Sequence, residues 1–181
     1  KLQESSVKKY ALSQQIPVLQ PISLRDEGFL AQLKAFQADV QVVVAFRMLP
    51  KVVWQMPRKG TFNLHASLLP DYRGAAPINW AIIGGEATTG VTTFLIDEQI
   101  DTGAILLRKE VAIAPRETAG TLHDKLMTVG ADLVVETLAL IASDKAVPQS
   151  QPKQVVEKSA PKIHKETSHI SWEQSLAQID R

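Results

Sequence analysis

VQVVVAFRMLPKVVWQMPRKGTFNLH, residues 40–65, is the stretch whose reading decides the fold. Its opening, Val40 to Ala45, is β-branched and almost continuously apolar. Strands buried on both faces of a parallel sheet look like this, so the run predicts a central strand. A loop, Phe46-Arg47-Met48-Leu49-Pro50, follows, then a short amphipathic helix from Lys51 to Gln55 and a second strand from Thr61 to His65. Strand, helix and strand in that order imply a right-handed crossover.

Upstream, Glu4 to Gln15 predicts a surface helix with Val7, Tyr10 and Ala11 at helical spacing, ended by Pro17. Ile16 to Leu19 reads as a short strand, and Asp26 as the N-cap of a helix. The face of that helix carrying Phe29, Leu30, Leu33 and Phe36 is expected to pack on a sheet. Downstream, Ser67 to Ala76 is rich in turn formers, and Pro77 opens a helix through Trp80 and Ile83 that Gly84 and Gly85 end. Thr92 to Ile96 and Ile105 to Ile113 are strands close enough in sequence to pair antiparallel. Thr118 to Ser143 is the longest helical pattern, with Leu122, Leu126, Val129, Leu133 and Leu138 on one buried face. The class is therefore α/β, with a mixed sheet.

After Ala146 the character changes. Val147 to His169 is dense in Pro, Gln, Lys, Ser and Thr without periodicity, and reads as a linker running away from the core. Trp172 to Arg181 reads as a helix that stops without a cap. Because Lys1 is not an initiator methionine and both ends look cut, the expectation is a fragment of a longer protein.

Composition narrows the chemistry. The 181 residues are 45% apolar, enough for one packed core. No run approaches the roughly 18 apolar residues that cross a bilayer, and no leader pattern opens the chain, so no membrane partner is expected. The absence of cysteine excludes disulfides, thiolate zinc sites and a cysteine nucleophile, and fits the cytoplasm. A net charge of +1 does not by itself announce nucleic acid, although residues 1–60 hold nine Lys and Arg against four Asp and Glu.

Three loops at predicted strand ends, at Phe46, at Asn63 to Ser67 and at Asp97 to Asp101, could line one cleft. Asn63 and His65 lie two apart on a strand, so they share a face, about 7 Å apart along it. An amide, an imidazole and the Asp101 carboxylate are what acyl transfer to an amine needs: two donors for an oxyanion and a group that sets the imidazole's charge and takes a proton indirectly. Each residue also has a structural reading, as a turn-capping amide, a satisfied strand-end histidine and a hairpin-closing acid. Ser67 lacks a Gly-x-Ser-x-Gly setting, no H-E-x-x-H motif suggests a metal, and no phosphate-binding glycine motif is present.

Asn63-Leu-His-Ala-Ser-Leu-Leu-Pro70, Tyr72-Arg-Gly-Ala-Ala-Pro-Ile78, Thr89-Gly-Val-Thr92 and Ile100-Asp-Thr-Gly103 together resemble the methionyl-tRNA formyltransferases, within the wider 10-formyltetrahydrofolate-dependent family. The resemblance runs over essentially the whole chain. It implies a Rossmann-like formyltransferase domain with a mostly parallel, mixed sheet, truncated at its N-terminus. Residues 1–146 would be that catalytic domain, and 147–181 a linker and the start of a C-terminal barrel domain. It implies Asn63, His65 and Asp101 as the catalytic trio, and a folate site formed by Phe46, Arg47, Met48, Leu49, Asp97, Glu98 and Gln99. Ser67, Leu68, Leu69, Pro70, Arg73 and Gly74 would form the acceptor side. The implied donor is 10-formyltetrahydrofolate without a metal, the acceptor methionyl initiator tRNA, and the protein a monomer in a bacterial cytoplasm or an organelle. Gln99 stands where glycine is common, and Phe46-Arg-Met-Leu-Pro50 replaces the commoner Tyr-Gly-Leu-Ile-Leu-Pro. The trio alone leaves the acceptor open among tRNA, an amino-sugar nucleotide, glycinamide ribonucleotide and water, or a binding module without activity. Arg73-Gly-Ala-Ala-Pro77 and the tail from Ala160 to Trp172 resemble the tRNA enzymes.

Overall fold

A computed structural model of the chain describes residues 4–45, 47–152 and 158–181. In chain order the elements are α1 (Ser6–Ser13), α2 (Glu27–Ala35), β1 (Gln41–Val44), α3 (Lys51–Trp54), β2 (Thr61–His65), β3 (Arg73–Gly74), α4 (Pro77–Ile83), β4 (Thr88–Leu95), β5 (Ile105–Ala112), α5 (Ala119–Ala142), β6 (Ser159–Ala160) and α6 (Leu176–Ile179). The main sheet is open and mixed, in the order β1-β2-β4-β5. β1 and β2 run parallel, whereas β4 is antiparallel to both β2 and β5.

The alternation of β2 divides the molecule into layers. Leu64 points to α5, joining Val91, Leu122, Leu126 and Leu133 in the core. Asn63 and His65 therefore face the opposite side, which loops cover. The 24-residue α5 begins at Thr118, whose hydroxyl accepts from the Thr121 N–H, and ends at Ser143, at the expected boundaries. Its buried stripe is Leu122, Leu126, Gly130, Leu133, Thr137 and Ile141, leaving Leu138 half-buried.

Four expectations change. β1 is an edge strand, not a central one, among the described residues, and Val42 and Val44 are 38% and 55% exposed. Ile16 to Leu19 forms no strand, since Pro17 lacks an N–H and no neighbouring strand offers a ladder. α2 is capped by Asp26 as expected, its carboxylate accepting from the Phe29 N–H at 2.7 Å, but it buries no residue fully and leaves Phe36 exposed. The C-terminal helix is one turn, Leu176–Ile179, started at Ser175, whose N–H donates to Gln178 Oε1 at 3.1 Å.

The segment after α5 does not run away from the core. Gln149 bridges Ile105, and Ser159–Ala160 forms β6, parallel to β3. Trp80 Nε1 then donates to the Pro161 carbonyl at 2.8 Å. The described parts of this strap bind β3, the loop carrying Asp101 and the start of β5.

Candidate active site

His65 is 7% exposed, and its Nε2 lies 2.9 Å from the Tyr72 carbonyl oxygen. A carbonyl only accepts, so Nε2 carries the hydrogen. The other nitrogen, Nδ1, faces Asp101 Oδ2 at 3.8 Å, longer than a hydrogen bond, as catalytic contacts often are before substrate binds. Phe94 meets the ring edge-on, with centroids 6.4 Å apart, and limits its tilt. Asn63, half-buried on the same face, has no hydrogen-bond partner for its side-chain amide among the described residues.

Asp101 arrives by an unexpected route. Because β4 is antiparallel to β2, Leu95 pairs with Phe62, so the chain leaves β4 beside the start of β2, not at its carboxyl end. The loop after β4 doubles back to bring Asp101 to His65. Asp97 folds that loop: its carboxylate accepts from the Gln99 N–H at 2.9 Å and the Thr102 hydroxyl at 2.8 Å. A side chain on Gly103 would collide with the Leu95 carbonyl, so glycine is required where the loop rejoins β5. Asp101 itself is left-handed, φ +56, and its Oδ2 accepts from the Gly74 N–H at 2.9 Å.

The remaining predicted residues divide. Glu98 accepts a hydrogen bond from Lys51, which holds its carboxyl below the ordinary range and ties the two loops expected to hold folate. Met48 is 78% exposed and Leu49 half-buried beside that tie, an apolar surface suited to one face of a flat ring. Gln99 is exposed, and Arg47 donates to the carbonyls of Pro21 and Ile22 at 3.0 and 3.2 Å, bracing the approach to α2. Phe46 lies outside the described residues.

On the acceptor side, Ser67 and Leu69 are fully buried and Pro70 is buried, so they build the turn instead of offering surface to a substrate. The Ser67 hydroxyl donates to the Asp71 carbonyl at 2.6 Å, which removes it as a nucleophile. Leu68, Arg73 and Gly74 are half-buried, and Arg73 donates to Gln151 Oε1 at 2.7 Å.

Several supporting residues gave no signal in sequence. Thr92 accepts from the Leu69 N–H at 3.1 Å and donates to the Ser67 carbonyl at 2.7 Å, pinning the turn. The Tyr72 hydroxyl and the Lys158 ammonium both donate to Glu86 Oε1, at 2.6 and 2.7 Å. Burial, then the bond to Glu86, pushes the Tyr72 phenol well above its ordinary range. Burial pushes the Glu86 carboxyl up, but bonds from Lys158 and Tyr72 outweigh it, and the net direction is down. Lys158 is shifted up, chiefly by its bond to Glu86.

The arrangement therefore offers a free amide, an imidazole with one nitrogen fixed, and a carboxylate oriented by a backbone N–H. Among the described residues, no group of three His, Cys, Asp or Glu is placed to hold a metal ion. No described helix is long and apolar enough to cross a membrane.

A family model described as formyl transferase matches residues 1–138. A methionyl-tRNA formyltransferase of Flavobacterium johnsoniae is 56% identical over 180 residues, 99% of this chain and 57% of its own. One from Parabacteroides distasonis is 56% identical over 182 residues, covering 98% and 56%. The chain thus spans a little over half the length of the curated relatives it matches. Among solved structures, the sugar 3N-formyl transferase WlaRD has TM-score 0.74 at 22% identity, covering 97% of this chain and 60% of that one. HypX from Aquifex aeolicus in complex with tetrahydrofolic acid has TM-score 0.69 at 22% identity, covering 83% and 25%.

Proposed function

The chain belongs to the formyl transferase family, and from that premise we propose that its protein transfers a formyl group from 10-formyltetrahydrofolate to the amino group of methionyl initiator tRNA. The observation that carries this reading is the grouping of Asn63, His65 and Asp101 on the loop-covered face of β2, with the Asn63 amide unpartnered among the described residues. The acceptor is supported by the relatives above 50% identity, which are named for the tRNA reaction.

When bound, the folate supplies the formyl carbon. Asn63 offers a neutral N–H to the oxygen on which charge develops as the amine attacks, and a protonated His65 Nδ1 offers a second. Asp101, fixed by the Gly74 N–H, orients the imidazole and receives the amine proton directly or through an ordered water, and that proton would return by the same route to the folate nitrogen as its bond to the formyl carbon breaks. Met48, Leu49 and the backbone of residues 97–101 would hold the folate ring. Leu68, Arg73 and Gly74 would meet the acceptor. A tail beyond residue 146 leading to a second domain, a monomeric state and residence in the bacterial cytoplasm complete the proposal.

Single-turnover formyl transfer by the whole protein, comparing methionyl initiator tRNA, an amino-sugar nucleotide, glycinamide ribonucleotide and water, tests it. The tRNA should be fastest. A faster sugar nucleotide would overturn the acceptor, and no transfer to any acceptor would overturn the reaction.

A further inference from the structure

Two residues of the site hold left-handed backbone that side chains rarely adopt: Tyr72 at φ +59 and Asp101 at φ +56. Such conformations are strained for a residue with a side chain and persist only where the surroundings impose them. In both cases the strap after α5 supplies part of that constraint. The Tyr72 N–H donates to the Lys158 carbonyl at 2.6 Å, and Lys158 also bonds Glu86, which accepts from the Tyr72 hydroxyl. On the other side Gln151 Nε2 donates to the carbonyls of Asp101 and Gly103, at 2.9 and 2.8 Å. Its Oε1 accepts from Arg73, so the amide's orientation is fixed by an all-acceptor pair on one side and an all-donor group on the other.

These contacts act on the two nitrogens of one ring. The Tyr72 carbonyl sets which nitrogen of His65 carries hydrogen, and the Asp101 turn sets what the other nitrogen faces. β3 links them, since the Gly74 N–H donates to Asp101 while Arg73 and Gly74 pair with Ser159 and Ala160 of β6. Gly74 has φ +123, and a Cβ there would lie 2.5 Å from the Ala160 carbonyl oxygen, so strap and turn fit together only with glycine at this position.

We infer that Gln151 and Lys158 are positioning residues for the His65–Asp101 pair, so that the strap is a working part of the site and not a tether to whatever follows. The inference deepens the proposed formyl transfer and rests on it. Neither residue touches a reacting atom; each acts through backbone that His65 or Asp101 depends on.

Gln151→Glu in the whole protein separates the two sides of the amide. It keeps an acceptor for Arg73 and removes both hydrogens that hold the Asp101 turn. The expected result is a kcat lowered roughly 10- to 100-fold with the KM for the formyl donor within about twofold. Lys158→Met should lower kcat in the same sense, and Lys158→Arg should restore most of it. Imidazole nitrogen resonances give a readout that needs no turnover: His65 should show hydrogen on Nε2 in the wild type, and a changed pattern in both Gln151→Glu and Lys158→Met. Unchanged His65 resonances in both variants, or wild-type kcat in Gln151→Glu, would overturn the inference. If the wild type transferred no formyl group at all, the proposed reaction would fall while the resonances still decided whether the strap positions the pair.

Discussion

Asn63 forms no side-chain hydrogen bond among the described residues, and the proposed mechanism gives its amide the oxyanion contact. Its neighbours on the same face are committed: Thr61 donates to the Trp54 carbonyl at 2.7 Å and His65 to that of Tyr72. Asn63, half-buried, has no such partner among the described residues, so its removal leaves no protein group newly unsatisfied. Asn63→Ala should therefore lower the single-turnover rate by roughly 10²- to 10³-fold, the usual cost of one oxyanion donor, with the thermal midpoint nearly unchanged. A wild-type rate in Asn63→Ala would remove the residue from the mechanism. His65→Ala carries a second penalty, because it strips the Tyr72 carbonyl of its donor in a buried setting, so rate and midpoint should fall together.

Among the elements, the Tyr72–Glu86–Lys158 tie joins β3, the turn after α4 and the strap, and its charge makes it pH-sensitive. The Glu86 carboxyl is held below its ordinary value of 4.5 in the folded chain, so its stabilisation is present above that value and is lost as pH falls through the lower folded one. In urea titrations Glu86→Gln should be less stable than wild type near pH 7, with the gap narrowing as pH falls below the ordinary carboxylate value; a gap independent of pH would mean that the tie contributes no charge. Packing makes its own prediction on α5. Leu126→Ala, at 2% exposure, should cost about 2–5 kcal/mol, and Leu138→Ala, half-buried, clearly less, as read from unfolding midpoints. That contrast also marks what sequence could and could not disclose. The 3.6-residue period and the capping threonine placed α5 correctly, because both are local properties. Apolarity alone puts Val129 and Leu138, both half-buried, on the stripe and passes over Gly130 and Thr137, because those two are buried by partners elsewhere. A Cβ on Gly130 would lie 2.8 Å from Leu64, and Thr137 bonds Thr93 at 2.8 Å. The site divides in the same way. Asn63 and His65 were legible as a period-two pair, but Asp101 reaches them by a loop whose course depends on an antiparallel strand. The Tyr72 carbonyl that fixes His65 belongs to a backbone atom every residue type possesses. Gln151 and Lys158 lie in or beside the part of the chain with the weakest periodicity, which made a strap look like a tether.

At the scale of the whole molecule the question is how a near-neutral chain fits the proposed reaction with tRNA, a polyanion. Lys and Arg number 20 against 19 Asp and Glu, and Lys51, Arg58, Lys59, Lys125 and Lys158 are already paired with carboxylates. A tRNA partner gripped by about 6–10 phosphate contacts loses roughly 10³- to 10⁵-fold in affinity between about 50 and 200 mM salt. A net charge of +1 gives this chain no basic excess to attract such a partner, and it spans 57% of the length of a relative named for the tRNA reaction. The proposed division of labour is chemistry in this chain, its strap included, and most of the phosphate grip in the remainder of the protein. Residues 1–181 alone should bind methionyl initiator tRNA with a log–log salt slope shallower than about −3, against a steeper one for the whole protein, and should transfer formyl to it poorly. A simple amine acceptor, which needs no phosphate contacts, should react with the chain and with the whole protein at rates closer to each other than the tRNA rates are. Equal slopes for the two proteins would put the phosphate contacts inside this chain and overturn the division.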